Sequence, residues 1–90
     1  METMTVKQAF KKLQASETLS RSLYNSMFDI NFINDKKTVD EVEFTVTGTH
    51  SLKEICKELS ELFSNFCKEN KLPTKSVTSI TYVGRDPYYG

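Results

Sequence analysis

Apolar residues near the start of the chain recur every three or four positions, which is the spacing of a helix with one buried face. They are Val6, Ala9, Phe10 and Leu13. Thr5 and Gln8 have the spacing of a capping box, in which two side chains satisfy free N–H groups at a helix start. We therefore predict a helix over residues 5–15.

Helical spacing continues, less regularly, beyond this segment. Ser16 and Glu17 resemble a second helix cap. Further apolar residues then follow at intervals of four, at Leu19, Leu23 and Met27. We expect either one kinked helix or two short helices to fill residues 5–26.

The period then changes to two, which is typical of strands with one buried face. Alternating runs cover 28–33 and 41–46, and the polar turn 34–37 separates them, so we predict a β-hairpin. Gly48 is expected to end its second strand. The predicted buried face consists of Phe28, Ile30, Phe32, Val42, Phe44 and Val46.

The longest apolar stripe at helical spacing predicts a helix over residues 51–70, with Ser51 and Glu54 as a second capping box. Pro73 prevents its continuation. The β-branched and aromatic run 76–83 predicts a third strand.

The resulting order, one or two N-terminal helices followed by β-β-α-β, predicts an α+β fold in two layers. Helices cover one face of a three-stranded sheet, for which we favour the strand order 3-1-2. Residues 1–84 are expected to form a single domain, and residues 85–90 a C-terminal tail.

The size and charge of the chain restrict its function. It has 90 residues, and 12 basic residues balance 12 acidic ones. Such a small domain has little core to give up to a catalytic cleft, which favours a binding module over an enzyme. No apolar run approaches the ~18 residues of a membrane span, and the first residues do not resemble a secretory signal. We therefore expect a cytoplasmic protein without membrane contact.

Few residues offer catalytic or metal-binding chemistry. His50 is the only histidine, and Cys56 and Glu54 follow it closely. Nucleophilic catalysis would require these groups to converge, whereas a histidine in the turn before a helix is commoner. Cys56 and Cys67 lie too far apart on a helix for a disulfide bond, and with one histidine they do not complete a tetrahedral metal site. We predict no enzymatic activity, cofactor or metal.

Charge also argues against nucleic acid as the main partner. The outward face of the hairpin would carry Asp29, Asn31, Glu41 and Glu43. An RNA-binding sheet would instead present stacking aromatic and basic side chains. Lys7 and Lys11 share one face of the first helix, so a nucleic-acid-binding regulator using the N-terminal helical segment is the alternative hypothesis.

The leading hypothesis is a small non-enzymatic protein-binding module. Arg85, Tyr88 and Tyr89 combine residue types that are frequent at binding hot spots, although the tail could instead pack against its own sheet. Glu41 and Glu43 offer a second surface, suited to a basic partner. The module would inhibit or regulate a larger protein by surface contact, as bacterial and phage accessory proteins do. An exposed strand edge would also permit a homodimer.

Overall fold

The computed structural model describes residues 2–73 and 75–86. Its elements are helix α1 (Val6–Ser16), strand β1 (Ser22–Ile33), strand β2 (Val39–Ser51), helix α2 (Leu52–Glu69) and strand β3 (Val77–Arg85). The strands form one antiparallel sheet in the order β2-β1-β3. The predicted α+β class and the central position of the first strand are therefore confirmed.

One hydrophobic core lies between the two helices and one face of the sheet. Its buried members are Val6, Ala9, Phe10, Leu13, Phe28, Ile30, Phe32, Val46, Ile55, Leu59, Phe63, Cys67, Val77 and Ile80. Val42 and Phe44, on the edge strand β2, are partly buried and pack against this core. The alternation of apolar and polar residues in the hairpin thus predicted the buried face of the sheet correctly. Side chains on the central strand β1 are the most completely buried.

Both helices begin at the predicted capping boxes. The Gln8 N–H donates to Thr5 Oγ1 at 3.1 Å, and the Thr5 N–H donates to Gln8 Oε1 at 2.9 Å. Ser51 and Glu54 make the same reciprocal pair at 3.2 and 2.9 Å. The hydroxyl of Ser51 is therefore engaged as a helix cap.

The helical prediction for residues 17–26 was wrong. Glu17 already has an extended backbone, and β1 begins at Ser22. Residues 22–24 pair with residues 49–51 of β2. These hydrogen bonds join segments more than twenty residues apart, so the local spacing of leucines could not reveal them.

The prediction that Gly48 ends the second strand was also wrong. β2 continues to Ser51, and the register with β1 shifts between Tyr24 and Ser26. Gly48 has φ +82°, a conformation that glycine adopts without steric cost, and it lies at this irregularity. The glycine therefore permits a bulge within the strand, and the hairpin is longer than predicted.

Asn25 joins the strands at the bulge. It is only 3% exposed and has φ +45°, a conformation that asparagine tolerates better than most residues. Its Oδ1 accepts a hydrogen bond from the Gly48 N–H at 2.6 Å. Its backbone oxygen accepts from the Asp86 N–H, also at 2.6 Å, directly after β3 ends.

We expect Asn25→Ala to lower the free energy of unfolding by about 1–3 kcal/mol, because the Gly48 N–H loses its side-chain acceptor. Chemical denaturation measures the loss. Asn31→Ala is the matched control on the same strand, since Asn31 makes an exposed side-chain hydrogen bond to Ser79. An equal loss in both variants would contradict the role assigned to Asn25.

Candidate protein-binding surface

The middle of the sheet face opposite the helices carries mainly polar and acidic side chains, and the exposed Val39 and Val83 continue the same alternation on β2 and β3. We call this middle part the open face and define it by Met27, Asp29, Asn31, Glu41, Glu43, Thr45, Ser79 and Thr81. These residues alternate along the strands with the buried ones, and none of them is fully buried. These eight residues include three carboxylates and no lysine or arginine.

The strand register places these polar groups in rows across the sheet. Asp29 lies directly opposite Glu43 on β2 and Thr81 on β3. In the next row, Asn31 lies opposite Glu41 and Ser79, and its Nδ2 donates to Ser79 Oγ at 3.0 Å. The two glutamates predicted as contacts therefore lie on the same face as Asp29.

Asp29 and Glu43 form a pair of like charges. Cross-strand neighbours of the same charge destabilise a sheet. Partial desolvation and the adjacent Asp29 carboxyl raise the pKa of Glu43, and Asp86 and Glu41 add to the shift. Asp29 Oδ1 is buried and has no hydrogen-bond partner among the described residues. Among the described residues, none of the three carboxylates on the open face forms an ion pair.

This repulsion predicts a pH effect on stability. The pKa of Glu43 is raised above 4.5 in the folded protein, so the folded state binds this proton more tightly than the unfolded state. The protonated Glu43 therefore stabilises the fold at low pH, and this stabilisation is lost as the pH rises through the folded-state pKa. We expect Glu43→Gln to raise the thermal midpoint at neutral pH, and the difference from wild type to disappear below the ordinary carboxyl pKa. Melting curves across this range test it, with Glu61→Gln on α2 as control. A lower midpoint for Glu43→Gln at neutral pH would contradict the argument.

Arg85, another predicted contact, is the last residue of β3. Its guanidinium carbon lies 4.9 Å from the centre of the Tyr24 ring, within cation–π distance. Tyr24 is 46% exposed, so the pair presents an aromatic and a cationic group to solvent. Sequence reasoning missed Tyr24 because it assigned this segment to a helix. Tyr88 and Tyr89 lie outside the described residues.

A second surface feature lies between the two helices. Lys7 and Lys11 of α1 face Lys53 and Lys57 of α2 across a groove of about 480 Å³, which we call the lysine groove. Apolar lining comes from Phe10, Leu52 and Cys56. None of the described residues that line the groove is acidic. Sequence reasoning had identified only the first two lysines, because the others come from a distant helix.

The candidate catalytic residues are engaged separately. The Nε2 atom of His50 lies 2.7 Å from the Thr47 carbonyl oxygen, and its Nδ1 lies 3.9 Å from a Glu54 carboxylate oxygen. Cys56 instead lines the lysine groove, which His50 does not. Burial raises the pKa of the Cys56 thiol more than the nearby Lys7 and Lys11 lower it. This arrangement disfavours a thiolate nucleophile at neutral pH.

Both cysteines are free thiols, as their helical spacing predicted. Within residues 2–73 and 75–86, no three His, Cys, Asp or Glu side chains are grouped so as to hold a metal ion. None of the helices in that part of the chain is long and apolar enough to cross a membrane.

Comparison of the chain with models of known protein families, with curated proteins and with solved structures finds no match. The geometry and charge of the chain's own surfaces are therefore the basis on which a function can be proposed.

Proposed function

We propose that the protein is a small non-enzymatic module that binds a larger protein and regulates or inhibits it by surface contact, with the open face as the contact surface. The observation that carries this proposal is the Asp29–Glu43 pair, two carboxylates directly opposite each other, with no lysine or arginine among the eight described residues that define the open face. A cationic surface laid over the pair would relieve the repulsion. The proposed partner therefore presents lysine or arginine side chains at its binding site.

The remaining open-face residues suit a polar interface. Asn31, Thr81 and Ser79 provide amide and hydroxyl groups beside the carboxylates. Protein interfaces combine such groups with a few aromatic or arginine anchors. The stacked Tyr24 and Arg85 provide one anchor of this type.

Tyr88 and Tyr89 belong to the same proposal. Asp86, the last described residue before them, is held by Asn25 and raises the pKa of Glu43, so the chain leaves β3 near the open face. The two tyrosines, which lie outside the described residues, are proposed as additional contacts because tyrosine is frequent at binding hot spots.

A basic partner suggests how inhibition would operate. Surface lysines and arginines commonly bind phosphate groups of nucleic acids. The carboxylates of the open face would compete for the same side chains and block access to them. Inhibition would then require occupancy of the partner's surface and no covalent chemistry.

Site-specific photo-cross-linking tests this proposal. A photoreactive amino acid replaces Thr81 on the open face in one variant and Asn65 on α2 in the other, and both proteins are expressed in cells that naturally contain the chain. We expect a covalent adduct with a basic protein from position 81 and none from position 65. Adducts from position 65 alone would place the contact on the helical layer and contradict the proposal.

Nucleic-acid binding is the second candidate function. Lys53 and Lys57 lie across the groove from Lys7 and Lys11, so four lysines are grouped on this surface. Retention on heparin that falls steeply with salt would support it. Loss of retention in the Lys7→Gln/Lys11→Gln variant would assign the effect to the groove. The absence of retention at low salt would remove this candidate.

Self-association by strand addition is a further proposal. Met4 pairs with Val77 and covers part of the outer edge of β3, so β2 offers the longer free edge. Its exposed Asp40, Glu41 and Glu43 oppose pairing between two copies. Light scattering across a salt series would show a dimer only where salt screens these charges.

A further inference from the structure

The lysine groove holds positive charge that the chain does not neutralise. Lys12, outside the groove, pairs with Glu2 at 2.8 Å. Among the described residues, no carboxylate lies within ion-pair distance of Lys7, Lys11, Lys53 or Lys57. Four like charges around one groove repel each other, so an anion bound between them would be stabilised.

The groove also offers an apolar surface. Most of this surface comes from the partly buried Leu52 and Cys56, because Phe10, although part of the lining, is only 2% exposed. The volume of about 480 Å³ lies within the range of about 300–1,000 Å³ that is typical of small-molecule sites. A ligand matched to both parts would have an anionic head group and a single apolar chain.

The orientation of α2 adds to this match. Leu52 and Lys53 belong to the first turn of α2, an 18-residue helix. The positive end of the helix dipole therefore lies at the groove and favours an anionic group there. The charge of the four lysines and the positive end of the α2 dipole both favour an anion, and the Glu54 carboxylate in the same turn offsets part of the dipole by capping the helix.

Nucleic acid fits this site less well. A bound strand would use the lysines but would leave the apolar lining without a partner. Stacking of bases requires accessible aromatic faces. Phe10, the only aromatic residue that lines the groove in the described part of the chain, is almost fully buried.

We propose that the lysine groove binds a long-chain fatty carboxylate, with the hydrocarbon chain lying between α1 and α2 and the carboxylate among the four lysines. This site is distinct from the open face, so the proposal is independent of the protein-binding function. Affinity should rise about fourfold with each added methylene group while the chain still fits, because each buried methylene is transferred from water.

The two cysteines allow a test with an internal reference. Cys56 lines the groove, whereas Cys67 is 2% exposed in the core and reports unfolding. Alkylation of both thiols is followed by mass spectrometry at mildly alkaline pH, with decanoate or dodecanoate below the micelle concentration. We expect dodecanoate to slow the alkylation of Cys56 at least about tenfold while Cys67 stays protected, and half-protection to require less dodecanoate than decanoate.

Charge variants identify the source of binding. Lys53→Gln/Lys57→Gln should weaken dodecanoate binding about tenfold, whereas Lys36→Gln/Lys37→Gln in the hairpin turn removes the same charge and should leave it unchanged. Dodecanol, which lacks the charge, should protect Cys56 far less. No protection by either carboxylate would overturn the proposal. Protection by a short oligonucleotide alone, or accelerated alkylation of Cys67, would overturn it as well.

Discussion

Phe28→Ala is expected to lower the free energy of unfolding by about 3–5 kcal/mol, the usual cost of removing a buried phenylalanine ring. Phe28 is 0% exposed on the central strand. Its ring centre lies 5.9 Å from that of Phe10 on α1 in an edge-on arrangement, and 5.3 Å from that of Tyr82 on β3 in a tilted one. Alanine would leave a cavity between the helical layer and the sheet. Since small domains have stabilities of only about 5–15 kcal/mol, much of the fold's stability would be lost.

Chemical denaturation followed by circular dichroism measures this loss. Phe44→Ala is the matched control, because Phe44 is partly exposed on the edge strand β2. Its ring centre lies 6.2 Å from that of Phe66. We expect its loss to be clearly smaller, since less apolar surface is buried there. An equal or larger loss from Phe44→Ala would contradict the assignment of the core centre to Phe28.

The second large effect is expected on partner binding. Glu41→Lys/Glu43→Lys should weaken binding to the partner identified by cross-linking at least about 100-fold, because lysines would then face the partner's basic side chains. Binding isotherms over a salt series measure the change. The affinity of the wild-type protein should fall as salt increases, and the residual affinity of the variant should not.

A variant with the same change in net charge separates the open face from charge in general. Glu61 and Glu69 are exposed on α2, so Glu61→Lys/Glu69→Lys alters charge by the same amount on the helical layer. We expect its affinity to stay within a few-fold of wild type. Equal losses in both double variants would show that net charge governs binding, contrary to the proposal.

Sequence patterns predicted those elements correctly whose structure depends on residues close together in the chain. Both capping boxes were correct because their hydrogen bonds join residues three positions apart. The error at residues 17–26 has the opposite cause. Leu19 and Leu23 fit a helical interval, but Leu23 pairs with His50 across the sheet. The long-range pairing determines the conformation of this segment, and the local spacing of apolar residues does not reveal such pairing.

The two candidate surfaces also depend on long-range contacts that local sequence patterns do not reveal. Alternation placed Glu41 and Glu43 outward, but only the register puts Glu43 directly opposite Asp29. That register depends on the turn, where Asn34 Oδ1 accepts hydrogen bonds from the N–H groups of Lys36 and Thr38.

The lysine groove depends on the packing of two helices separated by the whole hairpin. Lys53 and Lys57 follow Lys7 and Lys11 by more than forty residues. Helical spacing shows that each pair shares a face of its own helix, but not that the two faces meet.

Carboxyl footprinting of the wild-type protein tests the central claim most directly. Carbodiimide-activated amidation labels accessible carboxylates, and mass spectrometry compares the free protein with its complex. We predict that labelling of Glu41 and Glu43 falls several-fold in the complex, while labelling of Glu61 and Glu69 is unchanged. Protection of Glu61 and Glu69 with full labelling of Glu41 and Glu43 would contradict the claim that the open face binds the partner.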